Sequence, residues 1–122
     1  MSYVRTCAKF HFAQVRTYDI ALKYQALLDG KADVASAFTT DGAIATANLV
    51  VLRDDRRLWS PYNVAPVVRQ QTLARHADVA KVLDAVSPRI TNAAAQRMNA
   101  AVESDHKDPA DVASAFLGGK HD

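Results

Sequence analysis

The sequence predicts an α/β chain, with a short mixed sheet drawn from its first half and helices at its C-terminal end. Two patterns predict it. Between Asp33 and Tyr62 the chain carries short apolar runs, several rich in β-branched residues, punctuated by turn residues. From Gln70 onward the apolar residues recur at helical spacing between start and stop signals. Scale is the third observation: at 122 residues with 49% apolar and 23% charged side chains, the chain reads as one globular domain over residues 1–122.

The elements follow in order. Residues 18–29 place Ile20, Tyr24, Leu27 and Leu28 on one face, which predicts an amphipathic helix with Thr17 as N-cap and Gly30 as its stop. Asp33 to Phe38 alternates Val34, Ser36 and Phe38 against Ala35 and Ala37, the pattern of a buried strand. That pattern puts Phe38 at the carboxyl end of the strand, where ligands approach open α/β sheets. Asn48 to Leu52 and Arg57 to Tyr62 read as a hairpin about the Arg53 to Arg56 turn, and Pro66 makes Val64 to Val68 an edge strand or extended segment. Val79, Val82, Leu83 and Val86 predict a helix ended by Pro88. Ile90, Ala94, Met98 and Val102 predict another, opened by Thr91. Asp108 at N-cap and Pro109 at N1 start a last helix that buries Val112, Phe116 and Leu117 before Gly118.

Several functions are disfavoured. A formal charge of +2 is too small and too dispersed for a nucleic-acid partner, and in the densest basic cluster, Arg53, Arg56 and Arg57, Asp54 and Asp55 intervene, as in a solvated turn. Cys7 is the only cysteine, so no internal disulfide forms. Cys7 and His11 are four apart, but two ligands do not make a metal site. No phosphate loop, nucleophile elbow or HExxH pattern is present, so neither an enzyme nor a cofactor is expected. Met1 to Phe12 has no apolar run of seven residues and reads as neither a signal peptide nor a membrane span.

Three motifs stand in register: Phe38-Thr39-Thr40-Asp41-Gly42, Arg53-Asp54-Asp55-Arg56 and Trp59-Ser60-Pro61-Tyr62. They resemble the ligand-contacting segment of the osmoprotectant-binding proteins of ABC importers, which take glycine betaine, choline and carnitine. The resemblance runs from about Tyr18 to Leu117 and matches the C-terminal portion of a two-lobed solute-binding protein. The N-terminal segments that supply the family's other cage aromatics have no counterpart here. It implies a partial periplasmic-binding-protein fold of type II, a periplasmic or cell-surface location, and two partners, a quaternary-ammonium small molecule and an ABC permease subunit.

The ligand-contacting residues implied are Phe38, Tyr62, Thr40 and Asp41. A quaternary ammonium has no hydrogen to donate, so the negative face of an aromatic ring is its natural protein ligand. By residue type alone Phe38 and Tyr62 equally suit a core, Trp59 suits packing, and Thr39 to Gly42 suit a turn. The family often has Tyr at the position of Phe38. The alternative function is a truncated, self-associating structural or interaction protein without ligand binding, in which a homodimer covers the apolar surface. A sensing domain of a transcription regulator would need a helix-turn-helix, for which Met1 to Thr17 is too short.

Overall fold

A computed structural model of the chain describes residues 11–20, 22–60 and 62–118. Among these residues the regular structure is entirely helical: α1 (Leu22–Leu28), α2 (Ala43–Thr46), α3 (Gln70–Arg75), α4 (Asp78–Val86), a 3-10 turn (Ser87–Arg89), α5 (Asn92–Glu103) and α6 (Pro109–Leu117). They fall into two compact units. Among the described residues, one takes those up to Ser36 together with Leu52–Asn63; the other takes Ala37–Val51 and those from Val64 on.

In the first unit α1 starts later than the sequence suggests. Its first hydrogen bonds run from Leu22 and Lys23 N–H to the Asp19 carbonyl at 2.9 and 3.2 Å, two residues beyond Thr17. Gly30 does stop it, with φ +67° in the left-handed region that suits glycine. The chain then turns back, and the N–H groups of Lys31 and Ala32 both reach the Ala26 carbonyl, at 2.8 and 3.1 Å. Ala26 is consequently the buried residue of this helix, while Ile20, placed on the predicted apolar face, is 80% exposed. Beside the turn the Asp29 carboxylate accepts from Lys31 Nζ at 2.8 Å and Gln25 Nε2 at 2.6 Å. These bonds, that to Lys31 first, lower the Asp29 pKa, and Asp29 in return raises that of Lys31.

The predicted short mixed sheet does not form. Asp33–Phe38, Asn48–Leu52, Arg57–Tyr62 and Val64–Val68 contain no strand among the described residues. A strand exists only through a ladder to another strand, and here local side chains capture donors a ladder would use. Phe38 N–H donates to Asp41 Oδ2 at 3.2 Å, and Trp59 N–H donates to Asp54 Oδ2 at 2.9 Å. The apolar residues of these segments stay largely uncovered, Val67 at 97% and Phe38 at 62% exposure, so the buried-strand pattern reflects residue type alone. The Arg53 to Arg56 turn is present, with Arg57 at φ +52°, but it joins no hairpin.

In the second unit α4, α5 and α6 form where the sequence places them, while α2 forms where no helix is expected. Thr91 caps α5 by accepting from the Ala94 N–H at 3.2 Å. Asp108 caps α6 by accepting from the Ala110 N–H at 2.7 Å, and Pro109 follows at N1, where a missing N–H costs nothing. Gly118, at φ +83°, ends α6. Pro88 converts the end of α4 into the 3-10 turn, and Ser87 Oγ donates to the Leu83 carbonyl there at 2.9 Å. Burial is shallow: Ala94 and Ala100 on α5 are buried, Val112 and Phe116 are half-buried, and Leu117 is 52% exposed. An alanine-surfaced helix lets backbone approach closely, and α2 and the turn before it use that face.

Candidate functional site

Phe38 to Asp41 is a β-turn tied to itself and, with Gly42, to α5. The Asp41 N–H donates to the Phe38 carbonyl at 3.1 Å, and the Asp41 carboxylate accepts the Phe38 N–H at 3.2 Å, so the two residues are joined in both directions. Thr39 and Thr40 occupy the centre. The Asp41 and Gly42 carbonyls then accept from Ile44 and Ala45 at 3.2 and 3.0 Å and launch α2.

Two side chains of α5 reach up to the turn. Gln96 Nε2 donates to the Thr39 carbonyl at 2.6 Å and Asn99 Nδ2 to the Thr40 carbonyl at 2.7 Å. They are three residues apart, one face of a helix. Gly42 is buried against the next turn of that face. A Cβ there would lie 2.6 Å from Ala100 N, 2.7 Å from Glu103 Oε2 and 2.8 Å from Asn99 C, closer than any side chain tolerates. Its φ of −62° is ordinary, so the need for glycine is one of space.

Of the four residues expected to contact a ligand, this turn brings together Phe38, Thr40 and Asp41. The Phe38 ring is exposed, Thr40 is half-buried, and the Asp41 carboxylate sits beside the backbone of Phe38. A ring face and a carboxylate at one turn both favour a cation. Tyr62 belongs to the other unit and is 92% exposed, which corrects its alternative as a core aromatic. Trp59 is exposed too, its backbone held by Asp54. The Asp54 carboxylate accepts from the Leu58 and Trp59 amides and its pKa is lowered by them, Leu58 first. No local signal in the sequence marks Gln96 and Asn99, two amides on an alanine-rich helix.

No cluster of three metal-ligating side chains exists among the described residues, and of the Cys7–His11 pair Cys7 lies outside them. No helix among them is long and apolar enough to cross a membrane.

Residues 4–119 match the family described as OpuAC, the substrate binding domain of an ABC-type glycine betaine transport system. The chain is 35% identical over 113 residues to a glycine-betaine-binding protein of Pseudomonas aeruginosa, covering 91% of this chain and 36% of that one. It is 30% identical over 106 residues to the carnitine transport binding protein OpuCC of Listeria monocytogenes, covering 87% and 34%. It is 31% identical over 109 residues to an ergothioneine transport permease/ergothioneine binding protein of Helicobacter pylori, covering 89% and 20%. The chain thus spans only 20–36% of the length of these relatives.

Proposed function

Because the chain belongs to the OpuAC family of substrate binding domains, we propose that it acts in the solute-binding component of an ABC importer for quaternary-ammonium osmoprotectants such as glycine betaine or choline. Phe38, Tyr62, Thr40 and Asp41 are the ligand-contacting residues in this reading. It acts by binding, not by reaction, at the periplasmic or cell-surface side of the membrane, and hands its ligand to a permease subunit.

One observation carries the proposal beyond family membership: an exposed aromatic ring and a carboxylate share the Phe38–Asp41 turn. Glycine betaine, carnitine and ergothioneine, the ligands in the relatives' names, each bear a trimethylammonium group and a carboxylate. Such a cation has no N–H, so it is selected by ring faces and negative potential.

Calorimetric titration with glycine betaine and with choline tests it, with Phe38→Ala and Tyr62→Ala as controls. Two aromatic contacts of about 0.5 to 2 kcal/mol each sum to about 4 kcal/mol at most, the value of a millimolar complex before association entropy is subtracted. Affinity of this chain alone is therefore expected to lie between about 1 and 100 mM. A titration silent up to about 100 mM, or binding indifferent to both substitutions, removes the reading.

A second reading, self-association without ligand binding, is motivated by the exposure of Val50, Leu52, Val64 and Val67 in segments without a ladder. Light scattering at micromolar concentration decides it. A monomer sinks this reading and leaves the first intact.

A further inference from the structure

We infer that Gln96 and Asn99 are positioning residues for the ligand-side turn, holding Phe38, Thr40 and Asp41 in one arrangement through the carbonyls of Thr39 and Thr40; this rests on the binding role proposed above. In a β-turn from Phe38 to Asp41 the central peptide lies between Thr39 and Thr40, and its carbonyl is that of Thr39. Rotation of that peptide is what separates type I from type II turns, and type II demands a positive φ at the second central residue. Here that residue is Thr40, β-branched and not among the residues at positive φ. Gln96 donates at 2.6 Å to the one oxygen that would swing in such a rotation.

Asn99 takes the following carbonyl at 2.7 Å, and Gly42 abuts the backbone of Ala100 with no space for a methyl group. Turn positions 39, 40 and 42 thus register on helix positions 96, 99 and 100. The turn has no slack relative to α5. A pre-ordered turn lowers the entropy lost when a ligand binds, which matters most where each contact is weak.

The chemistry of the two donors fits a cation site. Lysine or arginine could also hold a carbonyl, but either would bring positive charge to the turn that is to meet a trimethylammonium group. Amides donate without charge. Gln96 and Asn99 therefore fix the turn without adding a charge to it.

The test uses the whole chain, labelled for nuclear magnetic resonance, with glycine betaine as the probe. Gln96→Met and Asn99→Leu keep shape and remove the donors; Gln96→Lys keeps a donor and adds charge. The expected result for the double variant Gln96→Met/Asn99→Leu is a fall in backbone order parameters at Thr39, Thr40 and Asp41 from about 0.85 toward 0.6, with helix content unchanged. Its dissociation constant for glycine betaine, read from amide shifts, is expected to rise about tenfold. Gln96→Lys is expected to keep the turn ordered and still lose affinity, a split that a merely structural role does not produce. An ordered turn in the double variant, or unchanged affinity despite a loosened turn, overturns the inference. A wild-type chain whose amides ignore glycine betaine, while the double variant still loosens the turn, removes the ligand reading and leaves the clamp standing.

Discussion

Arg89 holds Phe116 twice: its Nη2 donates to the Phe116 carbonyl at 2.5 Å, and its guanidinium carbon lies 5.1 Å from the centre of the Phe116 ring. The pair ties the 3-10 turn after α4 to the last turn of α6, where unpaired carbonyls gather and a cation is favoured. A hydrogen bond from a charged donor and an exposed cation-π contact together are worth about 1–2 kcal/mol. Arg89→Ala should lower unfolding stability by about that much in urea titrations. Arg89→Lys should recover only part, because a lysine ammonium lacks the planar fork that serves carbonyl and ring at once.

The two turn glycines should fail for different reasons. Gly42→Ala is expected to cost about 1–3 kcal/mol through overpacking against Ala100 and Glu103, although its backbone angles suit any residue. Gly30→Ala meets nothing within 4 Å and should cost about 1 kcal/mol through its left-handed φ alone. Gly30→Asn should then restore most of the loss, whereas Gly42→Asn should be worse than Gly42→Ala. Thermal melts of the four variants distinguish the mechanisms.

Acid should release the Trp59 segment in a defined window. The folded-state pKa of Asp54 is depressed, chiefly by the Leu58 and Trp59 amides, so its contribution is fully present above the unfolded aspartate value near 4 and is lost as pH falls through the folded value. Trp59 is the chain's one tryptophan, so its fluorescence reports the event. The expected midpoint lies below about 4, and Asp54→Asn should abolish that transition. A midpoint at or above the ordinary aspartate value would contradict the hydrogen-bonded carboxylate.

Removing the α6 cap should unwind that helix from its start. Asp108→Ala is expected to cost about 0.5–2 kcal/mol, and Asp108→Asn, which keeps an acceptor for the Ala110 N–H, much less. Hydrogen exchange at the first turn of α6 would show whether the loss is local.

The legible part of the sequence was the part whose signals are local. Thr91, Asp108, Pro109, Gly30 and Gly118 act within four residues of themselves, and each caps, opens or stops the helix it was expected to. The expected sheet does not form because apolar alternation at Asp33–Phe38 and the β-branched residues of Asn48–Leu52 state a preference for extended backbone and nothing about a partner. Thr40 and Asp41 were read from a motif that also spells a turn, and the turn is present. Their anchors Gln96 and Asn99 lie 57 and 59 residues from the carbonyls they hold, a separation at which residue type carries no signal.

The stretch from Val64 to Val67 has a consequence for handling the chain. It runs without helix or ladder, with Val64 and Val67 almost wholly exposed, and it immediately precedes α3. Endoproteases bind their substrates as extended strands, so an unladdered backbone is already in the shape their clefts accept. A protease with a small aliphatic pocket should nick here, and brief digestion followed by mass spectrometry should find a fragment beginning between Val64 and Arg69 that retains every helix from α3 to α6.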